Sequence, residues 1–236
     1  MSIDGHTVIG IIGGMGPQAT VDLMQRIVAA TPAHDDCDHL HIIADNNAKV
    51  PSRIAALVDG RSDVKPGPVI AGMALRLESA GADAIVMACN SAHWYADDVR
   101  AAVSIPFIDM IELACDEAAA QAGTFRRVGV LASTAVHNTG LYKRALEARS
   151  MICVLPQDQD GLLDLIKAVK RGDTKPEICA AYAAIAQQLA SDDVDMILVA
   201  CTELSVLADT LEMKIPLIDA FDVLTGAIVA FDRIKI

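Results

Sequence analysis

Two cysteines in this chain stand where an apolar run gives way to polar residues: Cys89 in DAIVMACNS, 83 to 91, and Cys201 in DMILVACTE, 195 to 203. A cysteine that only packs belongs inside such a run. One at its end, followed by Asn90 and Ser91 or by Thr202 and Glu203, meets solvent or ligand. Where a strand end opens a helix, backbone N–H groups and the positive end of the helix dipole favour thiolate. They draw a thiol from its free pKa of about 8.5 toward neutrality. The same N–H groups can hold a carboxylate. One such thiol is a candidate nucleophile. Two suggest a narrower chemistry, in which one thiolate removes a proton from a carbon and the opposite thiol returns one to the other face, inverting a stereocentre. Taken singly, a free cysteine is among the most buried residue types, so it is the recurrence that argues for chemistry.

The elements that must position the pair alternate between strand-like apolar runs and helical patterns. The runs are VIGIIGG, LHIIA, AIVMACN and IPFID, then VGVLAS, ICVL, MILVACT and IPLID. Such alternation predicts βα units and parallel sheets covered by helices, the α/β class. The halves also repeat: besides the cysteine segments, IPFID at 105 to 109 reads against IPLID at 215 to 219, and VIGIIGG against VGVLAST. The expected architecture is two pseudo-symmetric domains, each a parallel sheet flanked by helices, with the active site in the cleft between them. Helical patterns follow each IP segment, IELACDEAAAQA and FDVLTGAIVAF, and either could cross to the other domain. Residues 1–109 with 220–236 form one predicted domain and 110–219 the other.

Composition bounds the partners. At 236 residues and 53% hydrophobic content the chain can bury substantial cores, and no apolar stretch approaches the roughly 18 residues of a membrane span. The opening MSIDGHTVIGIIGG lacks a basic region leading into a long apolar segment, so a soluble, cytoplasmic protein is expected. A net charge of −12 opposes binding to nucleic acid or anionic membranes but leaves room for a small anionic ligand held by a few local cations. The six cysteines are spread without a CxxC pair and read as reduced thiols, with Cys115, Cys153 and Cys179 in the core. Cys37 lies in HDDCDHLH, whose spacing matches no zinc pattern; a solvated loop is expected, and no metal site.

The chain resembles the cofactor-independent aspartate/glutamate racemase family, on the aspartate racemase branch. The resemblance is carried in order by IGIIGGMGPQAT at 9 to 20, DNNAKVPSR at 45 to 53, ACNSAH at 88 to 93 and ACTEL at 200 to 204. It implies racemisation of an amino acid without pyridoxal phosphate or other cofactor, commonly in a homodimer, with Cys89 and Cys201 as the two acid/base residues. Arg53 matches a family arginine and Lys170 a family lysine. Cations there would hold a side-chain carboxylate and stabilise the carbanion developing at Cα. As plain structure, Arg53 opens the helix RIAALV and Lys170 complements a helix dipole just before Gly172. The candidate substrate-binding residues are therefore Met15, Arg53, Asn90, Ser91, Lys170, Thr202 and Glu203. Ala135 and Val136 stand where aspartate racemases often have Gly-Thr, which leaves open a racemase of broader or different specificity, or a maleate-type isomerase of the same fold.

Two rivals come from other classes. Gly14-Met15-Gly16-Pro17-Gln18-Ala19 fits a dinucleotide fingerprint, but no acidic residue ends a second strand about 20 positions on. Pro17 suits a first helical position, so the loop reads as a tight turn whose glycines offer N–H groups to a carboxylate. A two-lobed binding protein would need no thiols.

Overall fold

The structure is a computed structural model that describes residues 7–121 and 126–234; the reading of the first residues as lacking an export signal lies outside them. The chain forms two compact units, Met1–Met110 with Leu224–Ile236, and Ile111–Val223. No helix among the described residues is long and apolar enough to cross a membrane.

In the first unit the chain runs through β1 (Val8–Ile12), α1 (Pro17–Ala30), β2 (His41–Asp45), α2 (Arg53–Leu57), α3 (Pro66–Ser79) and β3 (Ala84–Met87). A 3-10 turn over Ser91–Tyr95 then leads into α4 (Ala96–Ala102). The strands pair in parallel in the order β2-β1-β3. Beyond β3 a single parallel bridge joins Ile85 to Phe107, with the Ile85 N–H donating to the Pro106 carbonyl at 2.8 Å. Every residue of β1 and β3 is buried, as parallel strands covered on both faces require. Prolines at the first turn start α1 and α3, and the Ser52 hydroxyl caps α2 by accepting the Ala55 N–H.

The second unit holds α5 (Met110–Gln121), which starts on the last residue of the first unit's opening segment, β4 (Arg127–Leu131), α6 (Thr134–Thr139), α7 (Leu141–Ala148), β5 (Ile152–Val154) and α8 (Gln159–Lys170). It continues through α9 (Pro176–Ser191), β6 (Met196–Val199), α10 (Thr202–Ser205) and β7 (Leu217–Asp219) into α11 (Ala220–Ile234), whose later part belongs to the first unit. Its parallel sheet has the order β5-β4-β6-β7. The α/β class and the doubled construction read from the sequence are thus the observed ones.

The repeat extends to register. Gly10 of β1 lies opposite Ile85, and Gly129 of β4 opposite Ile197. A Cβ on Gly10 would come within 2.9 Å of Ala82 Cβ and Ile85 Cδ1, and one on Gly129 within 2.8 Å of Ile197 Cδ1. Both glycines let a side chain close over the central strand. Two details differ from the sequence reading. IPFID makes one bridge rather than a strand, whereas IPLID forms β7. Of the cysteines expected in the core only Cys115 is buried; Cys153, on the edge strand β5, and Cys179, in the first turn of α9, are half-buried.

Candidate active site

Cys89 follows β3, which pairs with β1, and Cys201 follows β6, which pairs with β4. Ala88, just past β3, donates its N–H to the Ile12 carbonyl at 3.0 Å; Ala200, just past β6, donates to the Leu131 carbonyl at 2.8 Å. The next residue is the cysteine in both cases. Cys89 is 5% exposed and Cys201 4%. Both therefore lie at the carboxyl ends of parallel strands, where open α/β sheets bind ligands.

Their immediate surroundings differ. Cys89 Sγ lies 3.4 Å from the Ser91 hydroxyl, and Asn90 beside it is buried. The Cys201 thiol donates to Glu203 Oε2 at 3.2 Å, and Lys170 Nζ lies 3.5 Å from the other oxygen of that carboxylate. Burial, and then the Glu203 carboxylate, push the Cys201 thiol well above its ordinary pKa, with Lys170 pulling the other way. This corrects the sequence-based expectation of a helix-depressed thiolate at Cys201. The helix it caps, α10, has four residues, and burial together with the charge two positions along outweighs so short a dipole. Thr202 is buried in the first turn of α10.

Arg53 and Met15 form a second group in the first unit. The Arg53 guanidinium donates to the carbonyls of Met15 and Pro51, both at 3.1 Å, and reaches that of Val50 at 3.5 Å. Its Nε is buried with no hydrogen-bond partner among the described residues. Among the described residues no carboxylate is one of these partners, and a half-buried guanidinium bonded to carbonyls keeps donor capacity for an anion. Lys170, by contrast, has its ammonium beside Glu203.

In the glycine turn the Gly14 N–H donates to the Thr20 hydroxyl at 2.9 Å, so of the two loop glycines this one is not offered to a ligand; just before it, the Gly13 N–H donates to the Asp45 carbonyl at 3.0 Å. Gly14, at φ 85°, is where a Cβ would run into the backbone of Asn47. Asp45 ends β2, later than the dinucleotide fingerprint would place its acidic residue, and its carboxylate holds Arg76 at 2.6 Å. In the Cys37 loop the Asp38 carboxylate accepts the N–H groups of His34 and Asp35, closing a local capping turn.

Four residues that the sequence reading did not assign complete the cysteine surroundings. His93 Nδ1 lies 2.8 Å from the Cys89 carbonyl, its Nε2 accepts the Met110 N–H at 3.4 Å, and Asp109 Oδ1 is 3.8 Å away. A proton on Nδ1 and none on Nε2 satisfies both bonds, so the imidazole is neutral. Burial accordingly holds its pKa below the ordinary value, against the pull of Asp109. In the second unit Ser205 donates its N–H to the Cys201 carbonyl at 3.0 Å and its hydroxyl to Asp219 Oδ1 at 2.6 Å. The signal was present: His93 and Ser205 each lie four places after a cysteine, and both IP segments end in aspartate.

A parallel α/β sheet is built twice, with a buried cysteine at the same strand end each time, and the matched family is one of racemases, which are isomerases. The chain belongs to the Asp/Glu/Hydantoin racemase family, whose pattern matches residues 12–228. It is 27% identical over 231 residues to the broad specificity amino-acid racemase RacX of Bacillus subtilis, spanning 90% of this chain and 92% of that one. It resembles the structure of Picrophilus torridus aspartate racemase at 31% identity and a TM-score of 0.84, covering 96% of this chain and 94% of the other. The glutamate racemase of Francisella tularensis, solved with D-glutamate, shares the fold at 16% identity and a TM-score of 0.70, over 98% and 84% of the two chains.

Proposed function

We propose that the protein interconverts L- and D-aspartate by a two-base mechanism in which Cys89 and Cys201 serve opposite faces of one Cα. The observation that carries this reading is the doubled cysteine: two thiols at equivalent strand ends, each buried. In the direction that starts with Cys201 protonated, the Cys89 thiolate takes the Cα proton. The electron pair left on Cα spreads into the α-carboxylate, and the Cys201 thiol gives its proton to the other face. The reverse direction exchanges the roles, with Glu203 and Lys170 setting how readily Cys201 parts with its proton. Asn90, Ser91, Thr202 and Met15 line the substrate, and Arg53 takes the side-chain carboxylate, a role supported by its bonds, among the described residues, to backbone carbonyls. Neither proton transfer needs pyridoxal phosphate. A homodimer in the cytoplasm completes this reading.

A second reading, a racemase of broader specificity, is favoured by Ala135 and Val136. Both are buried in α6 where a hydroxyl would otherwise be available. A chiral assay across the common amino acids in deuterated water tests both. The proposal expects aspartate to racemise fastest with solvent deuterium at Cα. Alanine or serine turning over as fast as aspartate would replace it with the broader reading, and no solvent deuterium in any product would overturn both.

A further inference from the structure

We propose that His93 and Ser205 are equivalent positioning residues, each anchoring the turn that carries a cysteine to the aspartate-ended segment flanking its own sheet. The inference rests on the two-cysteine reading above and extends it to groups that touch neither substrate nor thiol.

The argument begins with what the two turns need. A cysteine that exchanges protons with Cα must hold its sulfur in place to a fraction of an ångström, since misplacement by about 1 Å can cost on the order of 100-fold in rate. Both turns leave the sheet one residue before the cysteine, so the ladder no longer holds them there. In each unit the residue four places on supplies the missing hold. His93 grips the Cys89 carbonyl with Nδ1 and the Met110 N–H with Nε2, and Asp109 Oδ1 lies 3.8 Å away. Ser205 grips the Cys201 carbonyl through its own N–H and Asp219 through its hydroxyl, while Asp219 also accepts the Phe221 N–H at 2.9 Å.

The two anchors use unrelated chemistry for one geometry. An imidazole spans from a cysteine carbonyl to a backbone N–H; a hydroxyl reaches a carboxylate directly. Packing alone does not require polar side chains at these positions, where His93 is 4% and Ser205 2% exposed, because an apolar residue would fill either site without desolvation cost. Asp109 is itself held by Arg100 at 2.6 Å, which also lies over the Phe107 ring, so the far end of the first anchor is fixed as well.

The test compares His93→Leu, His93→Asn, Ser205→Ala and Ser205→Thr, with Cys89→Ser and Cys201→Ser as controls for the underlying reading. Each is measured for kcat, KM and the primary isotope effect with Cα-deuterated L- and D-substrate, beside its thermal midpoint. A weakened base makes its own deprotonation step more limiting. His93→Leu is therefore expected to lower kcat about 10- to 100-fold at little change in KM. It should also raise the isotope effect for one enantiomer and lower it for the other. Ser205→Ala should give the opposite pair of changes. His93→Asn keeps a donor near the Nδ1 position and Ser205→Thr keeps the hydroxyl, so each should recover most of the loss. Effects equal for both enantiomers, losses that track the fraction unfolded, or conservative variants no better than the apolar ones would overturn the inference. If the cysteine variants are dead while His93→Leu and Ser205→Ala keep wild-type isotope effects, the two-cysteine reading stands and the positioning role fails. If a cysteine variant keeps full turnover, the reading beneath it fails.

Discussion

Replacing Glu203 by glutamine should make Cys201 more reactive. The carboxylate accepts from the Cys201 thiol at 3.2 Å and is the main charge opposing the thiolate, so glutamine removes that charge while keeping the shape. Two unit charges about 4 Å apart interact by about 4 kcal/mol at an effective dielectric of about 20. Lys170, 3.5 Å from the same carboxylate, already cancels part of this. A net 1.5–4 kcal/mol in favour of thiolate is a reasonable order of magnitude, and it multiplies the thiolate fraction by about 10 to 1,000. Nucleophilicity falls as the thiol becomes more acidic, with a Brønsted slope of about 0.4–0.5, so the net gain in alkylation rate is about 3- to 50-fold. The assay is iodoacetamide labelling at pH 7.5, followed by mass spectrometry of the peptides carrying each cysteine. Cys89 serves as the internal control. The limb of kcat/KM against pH that reports Cys201 should move to lower pH in the same variant. Unchanged labelling of Cys201 together with an unchanged limb would refute the control of this thiol by Glu203.

Arg53→Ala should weaken turnover of acidic amino acids by about 2–5 kcal/mol, the usual cost of truncating one partner of a buried charge pair, and leave any turnover of neutral ones much less affected. Parallel kcat/KM measurements on aspartate and alanine check this. Gly10→Ala and Gly129→Ala should each destabilise by about 1–3 kcal/mol, seen as a lower urea midpoint at constant slope, because each new methyl meets carbons at 2.8–2.9 Å. Stability should also fall on acidification through His93. Its pKa is lowered on folding, so the unfolded chain binds more protons below about pH 6.5 and the folded state loses up to about 1.4 kcal/mol per pH unit. Asp109, which favours the proton, and Arg100, which opposes it, face this ring and are present in both proteins compared. His93→Asn should therefore show a smaller drop in urea midpoint between pH 7.5 and 5.5 than the wild type.

The sequence carried the fold because its signals were local and doubled. Fully buried strands such as AIVM and MILV are continuous apolar runs, and a parallel sheet needs them so. The order of strands was not legible in the sequence; the repeat carried only the doubling, which recurs in the matching registers at Gly10 and Gly129. What the residues around the cysteines do to one another was less legible. A backbone N–H is a fixed property of a helix start, so its effect on a thiol can be anticipated. Burial of the thiol, and then the carboxylate of Glu203, which acts through where its side chain points, turn the expectation for Cys201 the other way. At the glycine turn the reading fell short for a related reason: the Gly14 N–H is taken by the Thr20 hydroxyl, a partner that only the folded chain brings there. His93 and Ser205 needed both the offset from each cysteine and the distant aspartates of the IP segments, two signals that have meaning only when superposed.

The central claim, two cysteines working on opposite faces of one carbon, is tested most directly by Cα hydrogen exchange in deuterated water. Cys89→Ser and Cys201→Ser are each incubated with L- and with D-aspartate, and both deuterium content and chirality are read. Serine is nearly the shape of cysteine but far too weak an acid to serve as the base. Neither variant should racemise. Each should exchange the Cα proton of one enantiomer only, and the two variants should choose opposite enantiomers. Near-wild-type racemisation by either variant, or exchange of the same enantiomer by both, would contradict the account.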